Sequence, residues 1–268
     1  MADEFAPNAA SRSTGILWGM SKVGKTTFLM SLPGRILYVM VDPDGDDSLP
    51  ILPDRITVIK LYTYKDDEII RLLEKKIPAH IEKNHEDFDS VVVDSLSTIG
   101  RIALEDAIAK GVGNGREFTA SIEAPGLAAY GSRTNHTLKI VNMILRATAR
   151  VGKHCWFTSH EDEPKTNTKG DLLYITMTQS GKTINGMGLQ VSEIWYMRFH
   201  DKKWFIAIAP CRNKQPMGSR MFDVTGEPEF RLVFDPELGP DQPHSIATWF
   251  NRWQGSGRKK LPVPRTKE

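Results

Sequence analysis

Cysteine is almost missing from this sequence. Its 268 residues include two, Cys155 and Cys211, both in apolar surroundings and without Cys-x-x-Cys spacing. That excludes a disulfide-stapled fold and a thiolate metal centre, and it reads both as buried thiols in a reducing compartment. Charge of one sign is not in excess either. The 35 Lys and Arg against 33 Asp and Glu leave a net charge of +2, so any basic surface is local. No apolar run approaches the length of a membrane span. The opening Met1-Ala2-Asp3-Glu4-Phe5 is acidic and lacks the positive and apolar regions of a signal peptide. The expectation is a cytoplasmic protein with no membrane partner. Internal repeats, histidine or cysteine clusters with ligand spacing, and a Gly-x-Ser-x-Gly elbow are all absent.

What is present is organised around Gly19-Met20-Ser21-Lys22-Val23-Gly24-Lys25-Thr26, followed by Thr27. This is the pattern G-x-x-x-x-G-K-[ST], a phosphate-binding P-loop. Gly19 and Gly24 let the backbone turn tightly and bring its N–H groups near phosphates. Lys25 reaches the β- and γ-phosphates, and Thr26 offers a hydroxyl to Mg²⁺. The context agrees. Thr14–Trp18 reads as a short buried strand, and 27–32 as a helix stopped by Pro33-Gly34. The pattern implies ATP and Mg²⁺ as cofactors.

The rest of the chain alternates strands and helices. Residues 35–41 and 90–95 are continuous apolar or β-branched runs, as in parallel strands buried on both faces. Residues 56–61 and 155–160 are further strand candidates. Residues 65–84 repeat Ile69, Leu72, Leu73, Ile77 and Ile81 on one side, with Pro78 as a kink, and 126–151 form an amphipathic helix. Residues 111–125 read as a glycine-rich loop and 161–171 as a polar one. From Leu172 strand candidates follow one another at 172–178, 191–200 and 203–209, with a tight turn at Asp201-Lys202. The expected fold is one α/β domain over 14–254. It has a mostly parallel twisted sheet, helices on both faces and an antiparallel extension near 172–209. A flexible arm, 1–13, precedes it, and a disordered basic tail, 255–268, follows.

Several polar residues end strands on the side where α/β sheets hold ligands. Asp94 closes the run 90–94 and suits a Walker B carboxylate sharing Mg²⁺ with Thr26. An N-cap for the next helix, by Asp94 or Ser95, is the alternative. Asp42 and Asp44 follow the strand 35–41, and Asp44 is the preferred candidate for activating water; a solvated acidic turn is the alternative. His160 ends its strand where a γ-phosphate sensor would stand, or is an ordinary hydrogen-bonded histidine.

Taken in order, GMSKVGKTTF at 19–28, YVMVDPDGD at 38–46, FDSVVVDSLSTI at 88–99, WFTSHEDE at 156–163 and IAPCRNKQPMG at 208–218 span nearly the whole chain. The series resembles the RecA-like P-loop ATPases, in particular the phage Sak-type single-strand-annealing and recombination ATPases, which carry an AAA-like nucleotide-binding domain. The resemblance implies a catalytic carboxylate at Asp44, where the family has a longer glutamate. It implies DNA-channel loops at about 111–135 and 161–187. Their candidate contacts are Arg116, Phe118 and Arg133, then Lys165, Lys169 and Lys182. It implies too that Arg212 and Lys214 reach a neighbouring subunit's γ-phosphate, with a solvated basic turn as the alternative. The function implied is DNA-dependent ATP hydrolysis by an oligomer or filament on single-stranded DNA, promoting annealing or strand exchange. A single-strand-binding protein is a candidate partner, and the host cytoplasm is the compartment of a phage product. Two other readings stay open: an oligomeric DNA motor, helicase or packaging ATPase, and a nucleotide-dependent switch without useful turnover.

Overall fold

The computed structural model describes residues 12–43, 49, 53–111, 126–179, 181–209, 216–225 and 228–264. Its central strand is β1 (Thr14–Gly19), buried at all six residues. Parallel neighbours cover both its edges: β5 (His154–His160) and β8 (Glu193–His200). Beyond β5 lie β4 (Ser90–Asp94), β2 (Ile36–Met40) and β3 (Ile56–Lys60), again parallel. Beyond β8 the sheet turns antiparallel through β9 (Lys203–Ala207) and β11 (Glu229–Leu232). A short β10 (Gly218–Ser219) pairs with the start of β8, along the same edge as β9. The order β3-β2-β4-β5-β1-β8-β9-β11, with β10 beside β8, makes a nine-stranded sheet.

Strand alternation sorts the core into two layers. Ile16, Trp18, Leu37, Val39, Val91, Val93 and Phe157 face one way. They meet α2 (Asp66–Arg71), α3 (Ile77–Lys83), α4 (Leu96–Ala109), α5 (Leu127–Arg150) and α6 (Gly181–Gly188). Leu17, Tyr38, Met40, Val92, Trp156 and Trp195 face the other way. There they meet Phe28 of α1 (Lys25–Leu29) and Trp249 and Phe250 of α7 (Ile246–Gly255). This second layer is aromatic: Trp195 lies 4.8 Å from Trp156 and 5.7 Å from Trp249, centroid to centroid. Edge-on contacts of this kind add to the area buried. None of the described helices is long and apolar enough to cross a membrane. Cys155 is fully buried, and burial pushes its thiol up to about 12.

The α/β class and the parallel sheet are as expected, with five differences in detail. The strand expected at 191–200, β8, is not antiparallel to its predecessor but parallel to β1, because α6 supplies the crossover that parallel pairing needs. The strand expected at 172–178 shrinks to β7 (Leu172–Tyr174), which pairs with β6 (Lys165–Thr166) in a separate exposed hairpin. The helix after the P-loop stops at Leu29 rather than at 32. The helix at 65–84 is interrupted by a π-helical turn, Leu72–Lys76. Pro78 explains where it falls: its ring crowds the carbonyl four residues back, which belongs to Glu74 inside that turn. Finally, residues 255–264 of the expected tail are held against the domain. Leu261 donates its N–H to the Met221 carbonyl, and its side chain packs on the aromatic layer with Val263.

The first strand is held at its base by a neutral imidazole. His154 is buried, and its Nδ1 accepts the Ser13 backbone N–H at 3.0 Å. Burial pushes its pKa down to about 4 from 6.5. The unfolded chain therefore binds the extra proton more readily, and stability falls as pH drops from 6.5 to 4. We expect this one group to cost up to about 3 kcal/mol across that window. His154→Gln keeps an acceptor but does not titrate, so denaturant titrations should show a flatter pH dependence for the variant. An unchanged slope would remove His154 as its source.

Candidate functional site

The P-loop leaves β1 at Gly19 and curls over the carboxyl edge of the sheet. The two glycines serve different needs. A Cβ on Gly19 would lie 2.1 Å from the Met197 carbonyl oxygen, so β8 passes too close for any side chain. Gly24 has φ +91°, a left-handed conformation costly for other residues. Lys22 also has positive φ, +61°. Val23 is buried and anchors the loop to the aromatic layer, while Met20, Ser21 and Lys22 are exposed. Thr26 and Thr27 follow Lys25 in the first turn of α1, half-buried. With α1 only five residues long, the cradle for an anion rests on loop N–H groups and Lys25 more than on a helix dipole.

Lys25 is 6% exposed. Its Nζ donates to the carbonyls of Gly19 at 3.0 Å and Met20 at 2.6 Å. Burial pushes its pKa down to about 8, against the opposing charges of Asp94, Glu161 and Asp42. A polyphosphate in the loop would supply the negative charge that burial withholds from this ammonium.

Asp94 is not the N-cap. That role falls to Ser95, whose Oγ accepts the Thr98 N–H at 3.3 Å, leaving the aspartate free for the loop. Its carboxylate, buried, accepts three hydroxyls. Thr26 donates to Oδ2 at 2.7 Å, Tyr38 donates to Oδ2, and Thr158 to Oδ1. Burial and the Asp94 charge both push Tyr38 far up, so it stays a donor. The pair Thr26 and Asp94 offers hard oxygen ligands. Among the described residues no three His, Cys, Asp or Glu side chains gather to hold a metal ion. The hydroxyl and carboxylate oxygens of the pair fit Mg²⁺, which is bound through one or two carboxylates together with substrate phosphates.

Asp42 lies beside this centre. Thr98 donates its hydroxyl to Asp42 Oδ2 at 3.2 Å, and His160 Nε2 is 3.4 Å from the same oxygen. The His160 backbone is held as well: its N–H donates to Ser97 Oγ at 2.8 Å, and its carbonyl accepts the Thr178 N–H at 2.8 Å. A change at His160 is thus coupled to α4 and to the segment entering α6. Asp44, Arg116, Phe118, Arg212 and Lys214 lie outside the described residues.

The remaining basic candidates separate. Lys165 and Lys169 are exposed on the β6–β7 hairpin, where Leu172, Leu173 and Tyr174 are exposed too, and Lys182 is exposed on α6. Arg133 is not a loop residue. It sits half-buried on α5 with Nη2 donating to the Thr178 carbonyl at 3.0 Å, bracing the segment before α6. Glu161, which no sequence motif singles out, also stands at the site. Its backbone N–H donates to the Gly19 carbonyl at 3.0 Å, and its side chain accepts the Tyr196 hydroxyl at 2.9 Å. The available signal was its position immediately after a strand-end histidine.

A family model described as an AAA domain matches residues 11–230. A search of the curated proteins found no match.

Two substitutions test the core of the site. Lys25→Ala should leave the fold intact and abolish ATP turnover, because it removes the cation that holds the β- and γ-phosphates. Asp94→Asn should reduce Mg²⁺-dependent hydrolysis more than nucleotide binding. Hydrolysis near wild type in either variant, measured by phosphate release, would remove that residue from the assignment.

Proposed function

The chain belongs to the AAA domain family, and we propose that it is an ATPase of recombination. In this reading it acts as an oligomer or filament on single-stranded DNA and promotes annealing or strand exchange. The observation that carries the nucleotide half is the Thr26 hydroxyl on Asp94 beside the buried Lys25. These groups supply what phosphoryl transfer needs from a protein: phosphate positioning, a metal ligand pair and a fixed cation. Bound Mg²⁺ would neutralise phosphate charge. Lys25 would exchange its loop carbonyls for phosphate oxygens, and Tyr38 and Thr158 would hold the Asp94 carboxylate in place.

The DNA half is supported by the β6–β7 hairpin. It hangs from β5, whose last residue, His160, faces the nucleotide side, and it exposes Lys165, Lys169 and Tyr174 together. Cations beside an aromatic ring suit a single strand, whose phosphates and base faces are both open. Arg212 and Lys214 complete the proposal as cations that a neighbouring subunit receives at its γ-phosphate, coupling turnover to assembly.

The test is ATP hydrolysis with and without single-stranded DNA. Stimulation without strand unwinding is expected; unwinding would favour a motor, and slow unstimulated turnover a switch. Lys165→Ala and Lys169→Ala should each lower the salt slope of DNA binding by about 0.7. Mixing Arg212→Ala with Lys25→Ala protein should restore part of the activity that each lacks. Co-assembly without rescue would overturn the intersubunit role.

A further inference from the structure

The β8–β9 hairpin overhangs the P-loop and exposes two large aromatic rings on the side where the loop lies. Register shows the overhang. Trp18 of β1 pairs with Tyr196, and β1 ends at the next residue, while β8 runs on to His200. The turn at Asp201-Lys202 has positive φ at both residues, 49° and 58°, which matches the twist of a tight two-residue hairpin. Phe199 and Trp204 are paired across it, with centroids 5.3 Å apart. Alternation places both on the face of Met197 and Ile206, which is the layer that holds α1. Phe199 is 51% exposed and Trp204 36%. The Trp204 Nε1 stands 3.5 Å from the point a Gly24 Cβ would occupy, so the indole abuts the phosphate loop itself.

The strand order gives this position a direction. On the nucleotide-binding reading, Thr26 and Asp94 would hold the metal and γ-phosphate end of a nucleotide on the β4 side of β1. Its base end must then leave the loop the other way, toward β8 and β9. Two strand spacings, about 10 Å, separate β1 from β9. That is the scale on which a base stands off from its phosphates. The described residues hold Trp204 by packing and give its indole N–H no hydrogen-bond partner.

We propose that Trp204, with Phe199 behind it, is the stacking platform for the base of the bound nucleoside triphosphate. The inference rests on the nucleotide-binding reading above. An indole face accepts any base and favours the larger purines. The two rings remain exposed in the free protein because their partner is the ligand. The hairpin would then report whether the phosphate loop is filled.

Titration calorimetry with full-length protein, Mg²⁺, and either ATP or inorganic tripolyphosphate tests this. Trp204→Ala should weaken ATP binding about ten- to a hundredfold and leave tripolyphosphate binding unchanged, which also reports that the loop is folded. Trp204→Phe should recover most of the loss, and Phe199→Ala should lose less than Trp204→Ala. Unchanged ATP affinity in Trp204→Ala would overturn the proposal. So would an equal loss for ATP and tripolyphosphate, which would make the indole a support for the loop. Loss of single-stranded DNA retention with ATP affinity intact would overturn it in favour of a nucleic-acid contact. Wild-type protein that binds neither ATP nor tripolyphosphate would instead sink the nucleotide reading, before any substitution is made.

Discussion

One buried carboxylate sets the terms for the rest of the molecule. A charge at Asp94 is tolerable out of water only when its oxygens are occupied, and three hydroxyls from three different elements occupy them. Thr26 brings the P-loop, Tyr38 brings β2, and Thr158 brings β5. The registers make this meeting possible: Met40 pairs with Asp94, and Val93 with Phe157, so Tyr38, Asp94 and Thr158 rise on the same face of the sheet. A slip of one residue in β2 or β5 would send its hydroxyl to the opposite face. The apolar core and the polar centre therefore specify the same strand pairing. Removing any one hydroxyl leaves the others in place, whereas a slip of β4 would carry Asp94 itself to the opposite face and away from all three.

The parts of this arrangement that were legible in the sequence are those that local spacing determines. The P-loop is a fixed pattern, β1, β2 and β4 are unbroken apolar runs, and Asp94 sits where its run stops. What escaped was decided by distant neighbours. Residues 181–188 carry three glycines and give a weak helix signal, yet α6 forms because Ile184 and Met187 pack into the core. Gly186 lets it approach α5 so closely that a Cβ there would lie 2.9 Å from Leu138. Once α6 exists, β8 arrives parallel and the predicted meander disappears. The tail looked disordered because prolines and cations surround Leu261 and Val263, and only the aromatic layer gives those two residues somewhere to go. Arg133 looked like a loop cation because nothing in its own stretch reveals the Thr178 carbonyl that holds it. Trp204 looked like an ordinary strand residue, since its relation to Gly24 exists only after β8 and β9 have folded beside β1.

The π-helical turn before Pro78 does more than make room for a proline ring. Ile69, Leu73, Ile77 and Ile81 are all buried, at intervals of four residues. An α-helix turns about 100° per residue, so a four-residue interval overshoots a full turn by about 40° each time. Three such steps would carry Ile81 about a third of the way round the cylinder from Ile69. The wider turn at Leu72–Lys76 rotates less per residue and takes back part of that drift, keeping the apolar stripe in phase with the sheet. The bulge is thus a phase correction. Deleting one residue from 72–76 would reach the same end by another route: Ile77 and Ile81 would then stand seven and eleven residues after Ile69, within about 20° of it on a regular α-helix and still facing the core.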